Sequence, residues 1–206
     1  MSGLASPGVA EIAAAIGRGE VVAVPTDTVY GLAADPRQPG AVASLFAMKR
    51  RPDSVALPVL VASTADALAL ADAAARPRLA LLARRHWPGA LTLVVERSPE
   101  VELHLGGDPR TLGVRCPGHP LVRELCARAG PLAVTSANLH GEASCRSADE
   151  VRETFGDALA VLDGGACTGI ASSVVSLVAG EVKLLRAGPV SLEEVVASLE
   201  HGPASR

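Results

Sequence analysis

Aromatic side chains are nearly absent from this chain: Tyr30, Phe46, Trp87 and Phe155 are all it has among 206 residues. A hydrophobic share of 49% must therefore be met by Ala, Val and Leu. A stacking surface for single-stranded nucleic acid, which needs several rings, is not supported. Lysine is almost as scarce, with Lys49 and Lys183 set against 17 arginines. Where a chain otherwise uses Arg, a retained Lys suits a compact point charge better than a planar fork. The four cysteines (Cys116, Cys126, Cys145, Cys167) include no C-x-x-C pair, which argues against a zinc ribbon or a redox motif and fits reduced thiols. No run approaches 18 apolar residues and the start lacks a basic, then apolar, leader pattern, so a cytoplasmic protein with no membrane partner is expected. A formal charge of −3 gives no reason to expect a nucleic-acid-coating surface. Phosphate-cradling G-x-x-x-x-G-K-[ST] and G-x-G-x-x-G, the nucleophile elbow G-x-S-x-G, and histidine pairs at zinc spacing are all missing.

What is present is an interleaving of helical and strand patterns. Val9, Ile12, Ala13 and Ile16 recur at helical spacing and stop at Gly17 and Gly19. A strand is expected over 20–25 and a helix through Val42, Leu45 and Phe46 that delivers Lys49 and Arg50 at its end. Further expectations are a strand at 57–62, helices at 64–75 and 77–87, strands at 91–96 and 111–115, a helix at 120–129 and a strand at 132–136. Ser147 with Glu150, and Ser191 with Glu194, read as helix-opening caps, the first for a helix over 147–155. Between them lie a strand at 159–163 and a hairpin at 173–186, so part of the sheet is antiparallel. The expected fold is α/β: a single domain over residues 8–200, with a twisted mixed parallel/antiparallel sheet flanked by helices and flexible tails at 1–7 and 201–206.

Polar clusters recur where apolar strands give out. They are Thr26-Asp27-Thr28 with Tyr30; Lys49-Arg50-Arg51-Pro52; Arg115-Cys116-Pro117; Thr135-Ser136-Ala137-Asn138; Ser172-Ser173; and Arg186. Each has a plainer reading, as a turn, a helix C-terminus complementing the macrodipole, or a surface ion pair. Together, cations for phosphate or carboxylate and hydroxyls for directional hydrogen bonds describe a pocket at strand ends for an anionic, oxygen-rich ligand such as a nucleotide.

In this order, PTDTVYGLAADP, KRRP, LGVRCPGHP, TSANLHGEAS, the DGG at 163–165, ASSVV and LLRAG resemble the YrdC-like family, the L-threonylcarbamoyladenylate synthases, over roughly residues 8–190. The resemblance implies a concave, basic cavity. It also implies a reaction joining L-threonine, bicarbonate or CO2, and ATP into threonylcarbamoyl-AMP and pyrophosphate, with Mg2+ accompanying the ATP. A partner transferase would then modify the tRNA adenosine beside the anticodon; direct tRNA contact stays open. Carried over by position, Thr26, Tyr30, Arg115 and Ser172 would hold L-threonine. Lys49 and Arg51 would contact the ATP phosphates and offset transition-state charge. Thr111, Ser136, Asn138, Ser144 and Arg186 would contact the nucleotide. No side-chain nucleophile is needed.

This chain departs from the family pattern in places. Asp27 stands where relatives more often have Glu, Ser173 replaces Thr, and Ser176 stands where many have Asp. Ala171 and Ala187 replace prolines, and residues 53–60 differ enough that no ligand contact is carried onto them. The role of Asp27 is left open, between metal ligand, base and hydrogen-bond acceptor. Two alternatives stand beside the synthase, a non-catalytic RNA-binding module and a YrdC-like enzyme handling carbamoyl-AMP.

Overall fold

The computed structural model describes residues 7–50, 52–139 and 141–200; the expected tails lie outside the described residues apart from Pro7. The chain opens with helix α1 (Val9–Gly17), strands β1 (Val22–Val24) and β2 (Gly31–Ala34) and helix α2 (Pro39–Lys49). Strand β3 (Val59–Leu60), helices α3 (Thr64–Leu70) and α4 (Arg76–His86) and strands β4 (Leu91–Glu96) and β5 (Thr111–Arg115) follow. Then come α5 (Pro120–Ala129), β6 (Leu132–Ser136), α6 (Ala148–Phe155), β7 (Ala160–Val161), β8 (Ser173–Ser176), β9 (Lys183–Arg186) and α7 (Leu192–Glu200). Among the described residues, no helix is long and apolar enough to cross a membrane.

Local chemistry sets most of the boundaries. Proline begins α2 and α5, where its missing N–H leaves no bond unmade. Ser191 and Glu194 cap α7 reciprocally: Ser191 N donates to Glu194 Oε2 (2.7 Å) and Glu194 N to Ser191 Oγ (3.2 Å). The expected cap of α6 differs by one residue. Ser147 Oγ accepts from Glu150 N, but the Glu150 carboxylate reaches back to Arg146 N rather than to Ser147. Helix α2 ends because Arg50 turns into the left-handed region (φ 48°, ψ 37°).

The strands form one mixed sheet in the order β7-β1-β2-β6-β3-β5-β4-β8-β9. Pairing is parallel at β7–β1, β3–β5 and β4–β8 and antiparallel elsewhere, including the expected β8–β9 hairpin. Strand β2 falls in a segment read from sequence as loop. Gly, Leu and two Ala carry little strand preference, and pairing on both sides, with β1 and β6, makes the strand. The expected strands at 20–25, 57–62 and 159–163 shorten to three, two and two residues, and the helix expected to reach 75 stops at Leu70. There Ala71 leaves the helix to bridge Arg97.

Successive strand residues point to opposite faces, so the two faces can be read separately. On one face Leu32, Leu93, Val95, Leu112, Val114 and Val175 join Leu45 of α2, Leu70 of α3, Leu79 and Leu82 of α4, Val151 of α6 and Val195 of α7 in a continuous core. On the other, α1 and α5 place Ile12, Ile16, Val122 and Leu125 over Val22, Val24, Ala33 and Leu132. These two helices cover the β1, β2 and β6 side. The same face of β5, β4 and β8 carries Thr111, Gly113 and Arg115, Thr92 and Val94, and Val174 instead of a packed layer. At the far edge every residue of β9 is exposed.

Truncating a residue on the fully covered face should therefore be costly. Leu93→Ala is expected to lower the free energy of urea unfolding by about 2–5 kcal/mol; a loss below ~1 kcal/mol would contradict the assignment of Leu93 to the continuous core.

Candidate active site

The face left open by α1 and α5 forms the floor of a cavity of about 390 Å³, within the range of small-ligand sites. The polar clusters predict a pocket at strand ends. The cavity instead lies across the sheet face, because β4, β5 and β8 alternate core residues with Thr92, Val94, Thr111, Gly113, Arg115 and Val174. One wall is the turn between β1 and β2, through Thr26, Thr28 and Val29, and another is residues 55–58. Leu185 and Arg186 of β9 close the edge. Among the described residues, the charged ones lining it are Arg115 and Arg186, both cations.

Arg115, the last residue of β5, is 5% exposed. Its Nε donates to Gly89 O (2.8 Å), Nη1 to Thr28 Oγ1 (3.0 Å) and Nη2 to Asp27 Oδ1 (2.6 Å). A guanidinium has five N–H donors, so among the described residues one on each terminal nitrogen remains for the cavity. Asp27 Oδ1 also accepts from Gly118 N (2.8 Å), which ties the strand-end loop to the β1–β2 turn. Burial is the largest influence on Arg115 and draws its pKa down; Asp27 opposes this, and Arg186 adds repulsion. Desolvation on its cavity side lowers Arg186 as well, although the residue as a whole is exposed. Arginine stays charged at neutral pH, so two mutually repelling cations line the cavity while the carboxylate that balances one of them, Asp27, lies behind its wall, and an anion placed between the cations is favoured. The geometry makes Asp27 a hydrogen-bond acceptor that fixes both Arg115 and Gly118.

Proton directions in the turn follow from counting. Thr26 Oγ1 lies 2.6 Å from Val29 O, an acceptor only, so its single proton goes there. Thr28 Oγ1, 2.8 Å away, then donates to Thr26 and accepts from Arg115. Thr26 Oγ1 accepts from the backbone N–H groups of Thr28 and Val29 too. Thr26 thus lines the cavity while holding the turn together.

Ser172 lies between Thr92 and Arg186. Its Oγ is 2.9 Å from Thr92 Oγ1 and accepts from Arg186 Nη2 at 3.0 Å, while Arg186 Nε donates to Ser172 O (3.0 Å). At the C-terminal end of α2, Lys49 is 5% exposed. Its Nζ donates to Ser136 Oγ (3.3 Å), to Asn138 O (2.8 Å) and to Asn138 Oδ1. Ser136 lines the cavity; Lys49 stands one hydrogen bond behind it. The Asn138 amide donates to Leu139 O and Glu142 O, closing the turn after β6.

Thr26, Thr111, Arg115, Ser136, Ser172 and Arg186 are therefore brought together on one cavity, with Lys49 and Asn138 joined to it through Ser136. Ser144, half-buried in the loop before α6, does not line it. Arg51 lies outside the described residues. Tyr30, expected on the L-threonine wall, faces the other way: it is fully buried, its hydroxyl donates to Gly165 O (3.0 Å) and accepts from Gly164 N (3.2 Å). Strand alternation explains this, since Tyr30 and Leu32 share the face opposite Gly31. Thr168 Oγ1 and Gly169 N reach Thr28 O from the same loop. Tyr30 thus fastens the DGG segment behind the turn.

Thr28, marked in sequence only as part of its polar cluster, lines the cavity, and so do Thr92, Val94, Gly113 and the whole 55–58 wall, which the sequence does not single out. The alternations Thr111-x-Gly113-x-Arg115 and Ser172-x-Val174-x-Ser176 were the signal that could have found the floor. Residues 55–58 carried none. Among the described residues, no group of three or more His, Cys, Asp or Glu converges as a metal site would require.

Residues 14–188 match the Sua5/YciO/YrdC family, described as telomere recombination. A Mycobacterium tuberculosis protein provisionally named threonylcarbamoyl-AMP synthase is 39% identical over 97% of this chain and 93% of its own length. A Chromohalobacter salexigens protein named threonylcarbamoyl-AMP synthase is 42% identical over 76% of this chain and 84% of its own. The crystal structure of Pyrococcus abyssi Sua5 complexed with L-threonine superimposes with a TM-score of 0.85 at 35% identity, covering 94% of this chain. This chain spans 58% of the length of that archaeal protein.

Removing Asp27 leaves a buried guanidinium without its counter-charge. Asp27→Ala is expected to lower stability by up to about 3–5 kcal/mol, and Asp27→Asn by less, because it keeps an acceptor. A double-mutant cycle with Arg115→Ala, read by urea unfolding, measures the coupling; additive losses would show that the pair does not organise the turn.

Proposed function

The chain belongs to the Sua5/YciO/YrdC family, and on that premise we propose that it is a threonylcarbamoyl-AMP synthase, a nucleotidyltransferase joining L-threonine, bicarbonate or CO2, and ATP with release of pyrophosphate. The observation that carries this reading is the cavity's lining: among the described residues its charges are two guanidiniums, Arg115 and Arg186, ringed by threonine and serine hydroxyls on a rigid sheet. Such a site suits two anions held side by side, a carboxylate and a polyphosphate.

The chemistry needs little else. The threonine amine captures CO2 as a carbamate, a carbamate oxygen attacks the α-phosphorus, and pyrophosphate leaves with the bond electrons. The protein's part is alignment and charge stabilisation. Arg115, held on three sides by Gly89, Thr28 and Asp27, presents its remaining N–H groups to the threonine carboxylate. Thr26 and Ser172 contact the amino acid, and Thr111 and Arg186 the nucleotide. Ser136 meets the phosphates with the Lys49 charge one hydrogen bond behind it, and Arg51 is the further cation assigned to them from the sequence. Asn138 and Tyr30 act at one remove, the first orienting Lys49 and Ser136, the second fastening the DGG segment. Ser144 follows Asn138 in the loop beyond that cluster. The described residues offer no cage for Mg2+, so the ATP phosphates themselves would hold it, and it would supply neutralisation of part of their charge. A transferase then passes the threonylcarbamoyl group to tRNA in the cytoplasm.

The deciding assay supplies ATP, Mg2+ and bicarbonate with and without L-threonine and follows pyrophosphate. Threonine-dependent release is expected; release indifferent to threonine, or tight tRNA binding with none, would refute the proposal. Lys49→Ala should reduce kcat by about 10²–10³ with the fold intact. Lys49→Arg should restore little, because a planar fork does not reproduce three radiating ammonium donors. Pyrophosphate release by Lys49→Ala at the wild-type rate would remove Lys49 from the phosphate site.

A further inference from the structure

One residue of the cavity floor has no side chain and no structural cause for lacking one. Gly113 sits inside β5, where glycine weakens a strand and is ordinarily required only by a left-handed backbone or by close packing. Neither applies. Gly113 is not among the residues of positive φ. A Cβ built there would lie 3.4 Å from Pro58 Cβ, 3.5 Å from Pro58 Cα and 3.8 Å from Thr92 Cγ2, all ordinary contacts. Gly31, also on the floor, differs: its Cβ would come within 2.8 Å of Val134 Cγ2 and 3.2 Å of Thr135 O, so packing against β6 requires glycine there.

The register shows what lies around Gly113. Val94 pairs with Gly113 across β4 and β5. Val59, which pairs with Val114 and with Ala133, places its predecessor Pro58 between Gly113 and Val134, and Val134 N donates to Pro58 O at 2.9 Å. Val134, Pro58, Gly113 and Val94 thus form one row across four neighbouring strands, and all four line the cavity. The row is apolar and lowest at Gly113. Cations and hydroxyls stand to either side of it, at Arg115 and Thr92 in one direction and at Thr111 and Ser136 in the other.

Carboxylates and phosphates gain nothing from such a strip, whereas a planar ring lies flat on it. We propose that Gly113 is a specificity-determining residue: the missing side chain leaves a flat apolar floor on which the base of the nucleotide rests face-on, and any side chain at this position lifts the ring away. The inference rests on the synthase reading for the identity of the nucleotide, and on the geometry of the floor for the rest.

Gly113→Ala and Gly113→Val test it by calorimetric binding of ATP and, in parallel, of L-threonine, with thermal unfolding as the control. With no packing or backbone constraint to violate, the Ala variant should unfold at the wild-type temperature or above it. ATP affinity should fall about tenfold for Ala and further for Val, with L-threonine affinity held within about twofold. Wild-type ATP affinity in the Val variant would overturn the proposal, as would a parallel loss of L-threonine binding or a marked fall in the unfolding temperature of the Ala variant. Failure of the synthase reading is distinguishable. Wild-type protein that binds ATP but releases no pyrophosphate with L-threonine refutes that reading, and the Gly113 variants still report on the floor.

Discussion

A guanidinium taken out of water has to be given oxygen partners, and in this protein that demand falls on Arg115 at the end of a central strand. Two segments far from it in sequence answer it, the β1–β2 turn through Asp27 and Thr28 and the approach to β4 through Gly89; Gly118, three residues beyond the arginine, donates to the same carboxylate. The partners leave the arginine neither free to swing nor fully occupied. They also fix where the turn crosses the sheet, and so where one wall of the cavity stands. From that turn the network continues to the DGG segment, held by Tyr30 from behind and by Thr168 from beside it. A local electrostatic requirement thereby organises a set of loops with little regular structure of their own.

The sheet supplies the other half of the arrangement. A sheet with helices over both faces throughout would have no room for a ligand. Here α1 and α5 cover only the β1, β2 and β6 side of one face, while the opposite face is covered along the sheet. The uncovered strip is therefore rigid, because its strands are anchored from beneath by Leu93, Leu112, Val114 and Val175. Rigid floors suit a reaction that requires alignment of two reactants and no covalent help from the protein.

Much of this was legible in the chain. Helices α1, α4, α5, α6 and α7 announced themselves by spacing, caps and prolines, and the β8–β9 hairpin by its turn. The polar clusters pointed to Thr26, Arg115, Ser136, Ser172 and Arg186, which do line one cavity, and the family resemblance added Thr111. What could not be read was set by pairing and not by propensity: β2 is a strand because β1 and β6 flank it, and its Gly-Leu-Ala-Ala sequence states no such preference. The same short strand turns Tyr30 to the core side, an orientation that a polar residue type near a strand end does not reveal. Asn138 likewise proved to be committed to Lys49, Ser136 and its own turn. The wall at 55–58 is built of Val, Ala, Leu and Pro, residue types that signal burial wherever they occur.

Strand β9 carries a mechanical consequence. It is paired on one side only, its four residues are exposed, and its ladder to β8 is interrupted by a register shift at Val174 and Val175. Segments of that kind open locally at far lower free energy than a core strand. Yet Leu185 and Arg186 border the cavity. The cavity therefore has one compliant side facing a stiff one, and fraying of a single edge strand can widen its mouth while β4 and β5, which carry the floor, keep their places.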